Sequence, residues 1–150
     1  MGTRCNVVIN FGDTKIRIYR HYDGYLAITG EDILNKLSAS NVRNYDTKKN
    51  TINIAQLVQS FLVDGNYRLE SEQGGDLEYI YELNFNDVYQ CGNDYNKSNL
   101  KNVILHERDM DTRKWSSQTF KEVGVLSEFQ AVVTKEVKAM FARMAKVDAA

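Results

Sequence analysis

Alternation of apolar and polar residues at the start of the chain predicts a β-hairpin. Strands are expected over residues 4–11 and 14–22, joined by a short Gly-Asp turn. In the second strand Ile16 and Ile18 point to one side, and the basic and tyrosine residues between them point to the other. The hairpin therefore has one apolar face that needs covering and one polar face.

A helical period replaces the alternation after residue 29. Helix one is predicted over residues 30–39, with Thr29 as its N-cap, and helix two over residues 52–63. The polar stretch 38–50 between them is predicted to be a loop.

The middle of the chain returns to strand patterns. Strands are predicted over residues 67–72, 77–85, 87–91 and 100–109. A hairpin turn is expected at residues 73–76, and residues 92–99 are expected to form a polar loop. Trp115 is predicted to lie in a loop.

The C-terminal pattern predicts one long helix. Ser127 and Gln130 have the spacing of a capping box. The apolar face expected to pack as core consists of Phe129, Val132, Val133, Val137, Met140, Phe141 and Met144. The fold class is therefore α+β: an antiparallel sheet, two short helices after the first hairpin, and a long C-terminal helix packed on one face of the sheet.

Composition adds limits on organisation and partners. At 150 residues, 43% hydrophobic and 26% charged, the chain is expected to form a single domain over residues 1–150. Residues 1–2 and 147–150 are of the kind that expression vectors add. The net charge of −1 provides no global field for nucleic acid, and no apolar run suggests a membrane partner. Two isolated cysteines and no apparent signal peptide favour the cytoplasm.

Candidate chemistry is concentrated in residues 19–25 and the helix start that follows. Tyrosine rings can stack on a planar ligand, guanidinium groups bind phosphate or carboxylate, and free amides at a helix N-terminus bind anions. The residues predicted to bind a ligand are Arg4, Tyr19, Arg20, His21, Tyr22, Asp23, Tyr25, Thr29, Gly30 and Glu31. The alternative of equal weight is that these tyrosines simply cover the edge of the sheet.

Two alternative functions use some of these residues together with others elsewhere in the chain. A phosphodiester or nucleotide hydrolase could use His21 and Asp23, with or without a metal near Glu107 and Asp109, although a charge-dense run there more often forms a solvated turn. A nucleic-acid binder would use Arg17, Arg20, Arg43, Lys48 and Lys49, and the near-zero net charge makes it the least favoured function.

The Thr3-Arg4 opening and the sequence His21-Tyr22-Asp23-Gly24-Tyr25 resemble a group of short uncharacterised proteins of phages and bacterial mobile elements. If Met1 and Gly2 are native, they belong to the same resemblance. It covers about the first 30 residues and implies a phage-like context, in which small proteins often bind and block host components. The leading hypothesis is a non-enzymatic, phage-like binding protein, without a cofactor or metal, that captures a nucleotide-type small molecule or masks a host defence protein in the host cytoplasm. Self-association is left open.

Overall fold

The computed structural model of this chain describes residues 2–43, 50–86, 97–121 and 128–149. The strands there are β1 Cys5–Phe11, β2 Thr14–Arg20, β3 Asn41–Arg43, β4 Asn50–Asn53, β5 Tyr67–Glu70, β6 Tyr79–Phe85, β7 Lys97–Ser98, β8 Leu100–Arg108 and β9 Trp115–Lys121. The helical segments are a π-helical turn Leu26–Gly30, α1 Glu31–Ala39, α2 Ile54–Leu62 and α3 Glu128–Ala149.

Six strands form one mixed sheet in the order β5-β2-β1-β6-β8-β9. The predicted hairpin is confirmed: β1 and β2 pair antiparallel around Gly12, whose φ of +54° suits glycine. The pair β1–β6 is parallel, and the other neighbouring pairs are antiparallel. The α+β class, the two short helices after the hairpin and the long C-terminal helix are confirmed. The sheet differs from the expected antiparallel one in containing this parallel pair and the additional edge strand β9.

The main core lies between one face of the sheet and the helices. Its β1 and β2 members, among them Val7, Ile9 and Ile18, point toward α1, α2 and α3. Ile33, Phe61 and other apolar side chains of the helices meet them. We call the opposite side of the sheet the open face. Part of it is covered by Leu77, which packs on Val8, Ile80 and Tyr19.

Several boundaries differ from the sequence prediction. Strands β3 and β4, with β7, form a small three-stranded sheet where a loop and the start of helix two were predicted. The side chain of Asn53 accepts from the backbone N–H of Gln56 at 3.1 Å, and this N-cap moves the helix start to Ile54. Trp115 begins strand β9 instead of lying in a loop. The predicted strand 87–91, loop residues 92–96 and the Ser127 cap lie outside the described residues.

The helix α3 is only partly buried. Phe129 and Val133 belong to the core, but Phe141 is 60% exposed and Met144 is 53% exposed. The prediction that the whole apolar face of this helix is core is therefore wrong for its second half, because the helix extends beyond the surface that it packs against. Among the described residues, no helix is both long and apolar enough to cross a membrane.

Candidate functional site

The loop after β2 is held by close backbone approaches. Gly24 donates its N–H to the carbonyl of Thr3 at 2.8 Å, and its own carbonyl accepts from the hydroxyl of Tyr81 at 2.7 Å. A Cβ at Gly24 would lie 2.7 Å from that Thr3 oxygen and 2.8 Å from Cys5 Cβ. Asp23 takes a left-handed conformation, with φ of 59°. The chain therefore turns sharply here, from the end of β2 into the helical segment.

Strand alternation divides the candidate site residues between the two faces of the sheet. Tyr19 and His21 lie on the open face, whereas Arg20 points toward the helices, where it meets Asp32 of α1. Residues that are neighbours in sequence therefore do not form one binding surface.

On the open face, five side chains meet at one end of the sheet. We call this group the His21 corner: Arg4, Tyr19, His21, Tyr22 and Arg68. The Tyr19 hydroxyl lies 2.8 Å from His21 Nδ1, and Arg4 Nε lies 3.3 Å from the same nitrogen. The rings of His21 and Tyr22 meet edge to face with centroids 4.5 Å apart, and the Arg68 guanidinium lies 4.7 Å from the Tyr19 ring centroid.

These contacts favour one tautomer of His21. Arg4 Nε is only a donor, so Nδ1 of His21 acts as the acceptor and the ring proton sits on Nε2. Partial burial raises the pKa of Tyr19, with the charges of Arg4 and Arg68 opposing it, and the neutral phenol shares the single lone pair of Nδ1 with Arg4. The Nε2–H group therefore points away from Tyr19 and Arg4 and can donate to another molecule.

Both arginines of the corner already have carboxylate neighbours. Arg4 forms an ion pair with Asp76, which is 57% exposed, and Arg68 pairs with Glu70 at 3.3 Å. Ion pairs this exposed contribute little to stability. An anionic group can therefore compete for these guanidinium groups at small cost to the fold.

On the helix side, Arg20 is buried in a charged network. Its Nη1 donates to the Tyr67 hydroxyl at 2.8 Å and lies 3.6 Å from Asp32 Oδ2, and its Nε donates to the carbonyl of Tyr22 at 2.7 Å. Lys36 joins the same network through Asp32 at 3.3 Å. With 7% of its surface exposed, Arg20 anchors the loop, and the ligand role predicted for it stays a prediction that this geometry does not support.

The anion site predicted at the helix start near Gly30 stays a prediction, and the Thr29 cap expected there does not form. Helical structure begins at Leu26, and Thr29 is buried with its hydroxyl donating to the carbonyl of Asp23 at 2.7 Å. A Cβ at Gly30 would lie 2.9 Å from a methyl carbon of Val133 on α3, and the backbone N–H of Glu31 donates to Ile28. Thr29 and Gly30 thus connect helix and loop, and Glu31 is exposed without a free amide.

Of the remaining residues of the predicted site, Tyr25 contributes through its backbone and Asp23 is exposed. The carbonyl of Tyr25 accepts from Ile28 at 3.2 Å and from Thr29 at 3.0 Å, and so begins the helical turn. Asp23 is exposed, and the polar contacts of His21 within the described part of the chain involve Tyr19 and Arg4 instead.

The charge-dense segment after β8 forms a turn. The Asp109 side chain accepts from the backbone N–H groups of Asp111 at 2.9 Å and Thr112 at 3.1 Å, and these hydrogen bonds lower its pKa. Within the described ranges, no three His, Cys, Asp or Glu residues form a group suited to a metal. His106 lies on β8, three strands from β2, or about 14 Å by strand spacing. The two histidines therefore belong to separate parts of the sheet.

Sequence reasoning missed Arg68 and Asp76. Arg68 faces Tyr19 because β5 pairs with β2, and Asp76 reaches Arg4 from the segment before β6. Strand pairings of this separation have no local sequence signal, so neither residue could be assigned to the corner in advance. A row of Asn10, Asn84 and Asn102, hydrogen-bonded across three strands at 2.8 Å each, was missed for the same reason.

Comparison with family models, with curated proteins and with solved structures finds no match to this chain. The chemical assignment of the corner therefore rests on its residues alone.

Proposed function

We propose that this chain is a non-enzymatic, phage-like binding protein that captures a small anionic molecule with an aromatic ring, of nucleotide type, at the His21 corner. The observation that carries the proposal is the meeting of three ring side chains and two guanidinium groups on the open face, where Arg68 stacks on Tyr19 beside the His21–Tyr22 pair. Planar rings and guanidinium groups are the two partners that a nucleotide requires.

Each side chain has a distinct role in this proposal. Tyr22, at 63% exposure, offers a ring for stacking with the ligand. Arg68 and Arg4 exchange Glu70 and Asp76 for negative oxygens of the ligand. His21 donates from Nε2 to a ligand oxygen. Nothing in this arrangement requires a bond to be broken, and the function is sequestration, consistent with the counter-defence context that the phage resemblance implies.

Native mass spectrometry of the protein purified from bacterial cells tests the proposal, followed by titration with AMP as a defined probe. We expect a co-purifying mass of nucleotide size, or AMP binding that shifts the NMR signals of Tyr22 and His21. Tyr22→Ala and Arg68→Gln should each weaken AMP binding at least about tenfold. Arg113→Gln, which changes an exposed arginine in the β8–β9 turn, is the matched control and should leave binding unchanged.

A free protein mass together with no AMP-induced shifts up to about 1 mM would contradict the proposal. Conversion of AMP that disappears in Asp23→Asn would instead identify the hydrolase that His21 and Asp23 suggested from the sequence.

A further inference from the structure

The second half of α3 extends away from the core with its apolar side chains uncovered. We call residues 140–146 the α3 overhang. Val133 is 1% exposed and Val137 packs partly on the core, whereas Phe141 and Met144 are 60% and 53% exposed. The overhang is about 10 Å long at the rise of an α-helix.

The exposed side chains continue the buried stripe of the same helix. Val133, Val137, Met140 and Met144 are spaced by four, three and four residues, so they lie on one side of the helix. Phe141 lies beside this line, one turn after Val137. The face that packs on the sheet at one end of α3 is therefore the face that is uncovered at the other.

Cations outnumber carboxylates around the exposed end of this stripe, where Lys138, Arg143 and Lys146 occur with Asp148, which lies one turn after Met144. Lys138 lies one turn before Phe141, and Arg143 lies one turn after Met140, so each flank of the apolar side chains carries a cation. Lys146 adds a third cation on the far side of the helix, and Glu136, one turn before Met140, lies in the half of the helix that packs on the core. The overhang therefore complements a surface that is apolar at its centre and acidic at its rim.

This charge pattern distinguishes the potential occupants. Symmetric pairing of two overhangs would bring three cations and one carboxylate of one copy against the same set of the other, and this net repulsion is unfavourable. A membrane-surface helix buries a long apolar face in the bilayer, but here the first half of that face is already packed in the core. Two exposed anchors about one turn apart, one of them an adaptable methionine, match the binding of a helix in a protein groove.

We propose that the α3 overhang docks into an apolar groove with an acidic rim on a partner protein. Phe141 and Met144 enter the groove, and Lys138 and Arg143 pair with carboxylates at its two edges. This surface lies on α3 and is independent of the ligand chemistry proposed for the His21 corner.

Site-specific photo-crosslinking in bacterial cells tests this surface. The full chain carries a benzoylphenylalanine in place of Met144, whose exposure allows the change without loss of fold, as checked by circular dichroism. We expect crosslinks to concentrate on one protein, in a peptide that contains apolar residues flanked by Asp or Glu. Arg143→Glu in the same chain should reduce the crosslinked yield at least about fivefold, because it reverses a charge at the rim.

Two controls separate this result from non-specific contact and from the corner. Leu69, which is 58% exposed on β5, is the matched position: benzoylphenylalanine there should not give the same crosslinked peptide. Tyr22→Ala should leave the Met144 crosslink unchanged, so failure of the corner proposal would not affect it. Crosslinks to lipid, to a second copy of the chain or to no preferred peptide, or a yield unaffected by Arg143→Glu, would overturn the proposal.

Discussion

The hydroxyl of Tyr67 joins two charged side chains in the network beneath α1. It accepts from Arg20 Nη1 at 2.8 Å and donates to Asp32 Oδ2 at 2.5 Å. In Tyr67→Phe the ring should stay in place, because it packs edge-on against Phe61 with centroids 5.0 Å apart. The substitution therefore removes two hydrogen bonds to charged groups and little else.

The size of the stability loss in Tyr67→Phe depends on which hydrogen-bond partners Asp32 and Arg20 retain. A hydrogen bond to a charged group contributes about 1.5–3 kcal/mol. The Asp32 side chain is 28% exposed and keeps Lys36 at 3.3 Å, so water and Lys36 can replace its lost donor. The Arg20 side chain is 9% exposed, and water replaces its lost acceptor less readily. We expect Tyr67→Phe to lower the free energy of unfolding by about 2–3 kcal/mol, mainly through Arg20.

Urea unfolding followed by circular dichroism measures this change, and the slope of the unfolding free energy against urea concentration should be the same in the variant and the unmodified protein. Tyr22→Phe is the matched control, because its ring is 63% exposed, and it should change the free energy by less than about 0.5 kcal/mol. A double-mutant cycle with Arg20→Met should give a coupling energy of about 1–2 kcal/mol. A loss in Tyr67→Phe no greater than that of the control would refute the buried network as described.

Three further predictions concern packing and ionisation. Gly24→Ala should destabilise the protein by about 1–3 kcal/mol, because its Cβ meets backbone at 2.7 Å, whereas Gly65→Ala, with nothing within 4 Å, should be near neutral in the same urea assay. Burial raises the pKa of the Cys5 thiol from its ordinary 9.0 to about 12. Peptide mapping after iodoacetamide treatment at about pH 8 should therefore show Cys5 unmodified until the protein unfolds. The contribution of this buried thiol to stability is complete below pH 9.0 and is lost as the pH rises toward 12. Burial alone would raise the pKa of Asp64, but hydrogen bonds from a backbone N–H and from Lys36 lower it below 3.8. The ionised Asp64 therefore stabilises the fold above pH 3.8, and this stabilisation is lost as the pH falls through the lowered pKa. In Asp64→Asn, the free energy of unfolding should fall less steeply with decreasing pH than in the unmodified protein.

Part of the candidate site was predictable because it depends on local rules. The period of two in β2 separates Ile18 from Tyr19, and the same alternation carries on to His21 beyond the strand end. Its consequence for Arg20 was also present in the sequence, since Arg20 shares the face of the isoleucines. The ligand role predicted for Arg20 overlooked this, because it grouped Arg20 with Tyr19 and His21 on the other face of the strand.

Other parts depended on contacts between distant segments. The predicted helix one is confirmed as α1, but a π-helical turn over Leu26–Gly30 precedes it in place of the Thr29 cap. The Thr29 hydroxyl donates to the loop carbonyl, and Gly30 lies against Val133 of α3. A capping pattern in the sequence reports only local preference, and tertiary packing outweighs it here. In α3 the local pattern is correct but its burial is not, because the apolar stripe of the helix extends beyond the surface that it packs against.

The sequence by itself determined the α+β class, the first hairpin and its two faces, and the presence of a long amphipathic C-terminal helix, because these follow from periodicities within short stretches of chain. Only the tertiary structure decided that β1 pairs in parallel with β6 and that Arg68 and Asp76 join the His21 corner. It also decided that Phe141 and Met144 remain exposed. Pairing between remote strands and the extent of a packing surface depend on the whole chain, and no short stretch encodes them.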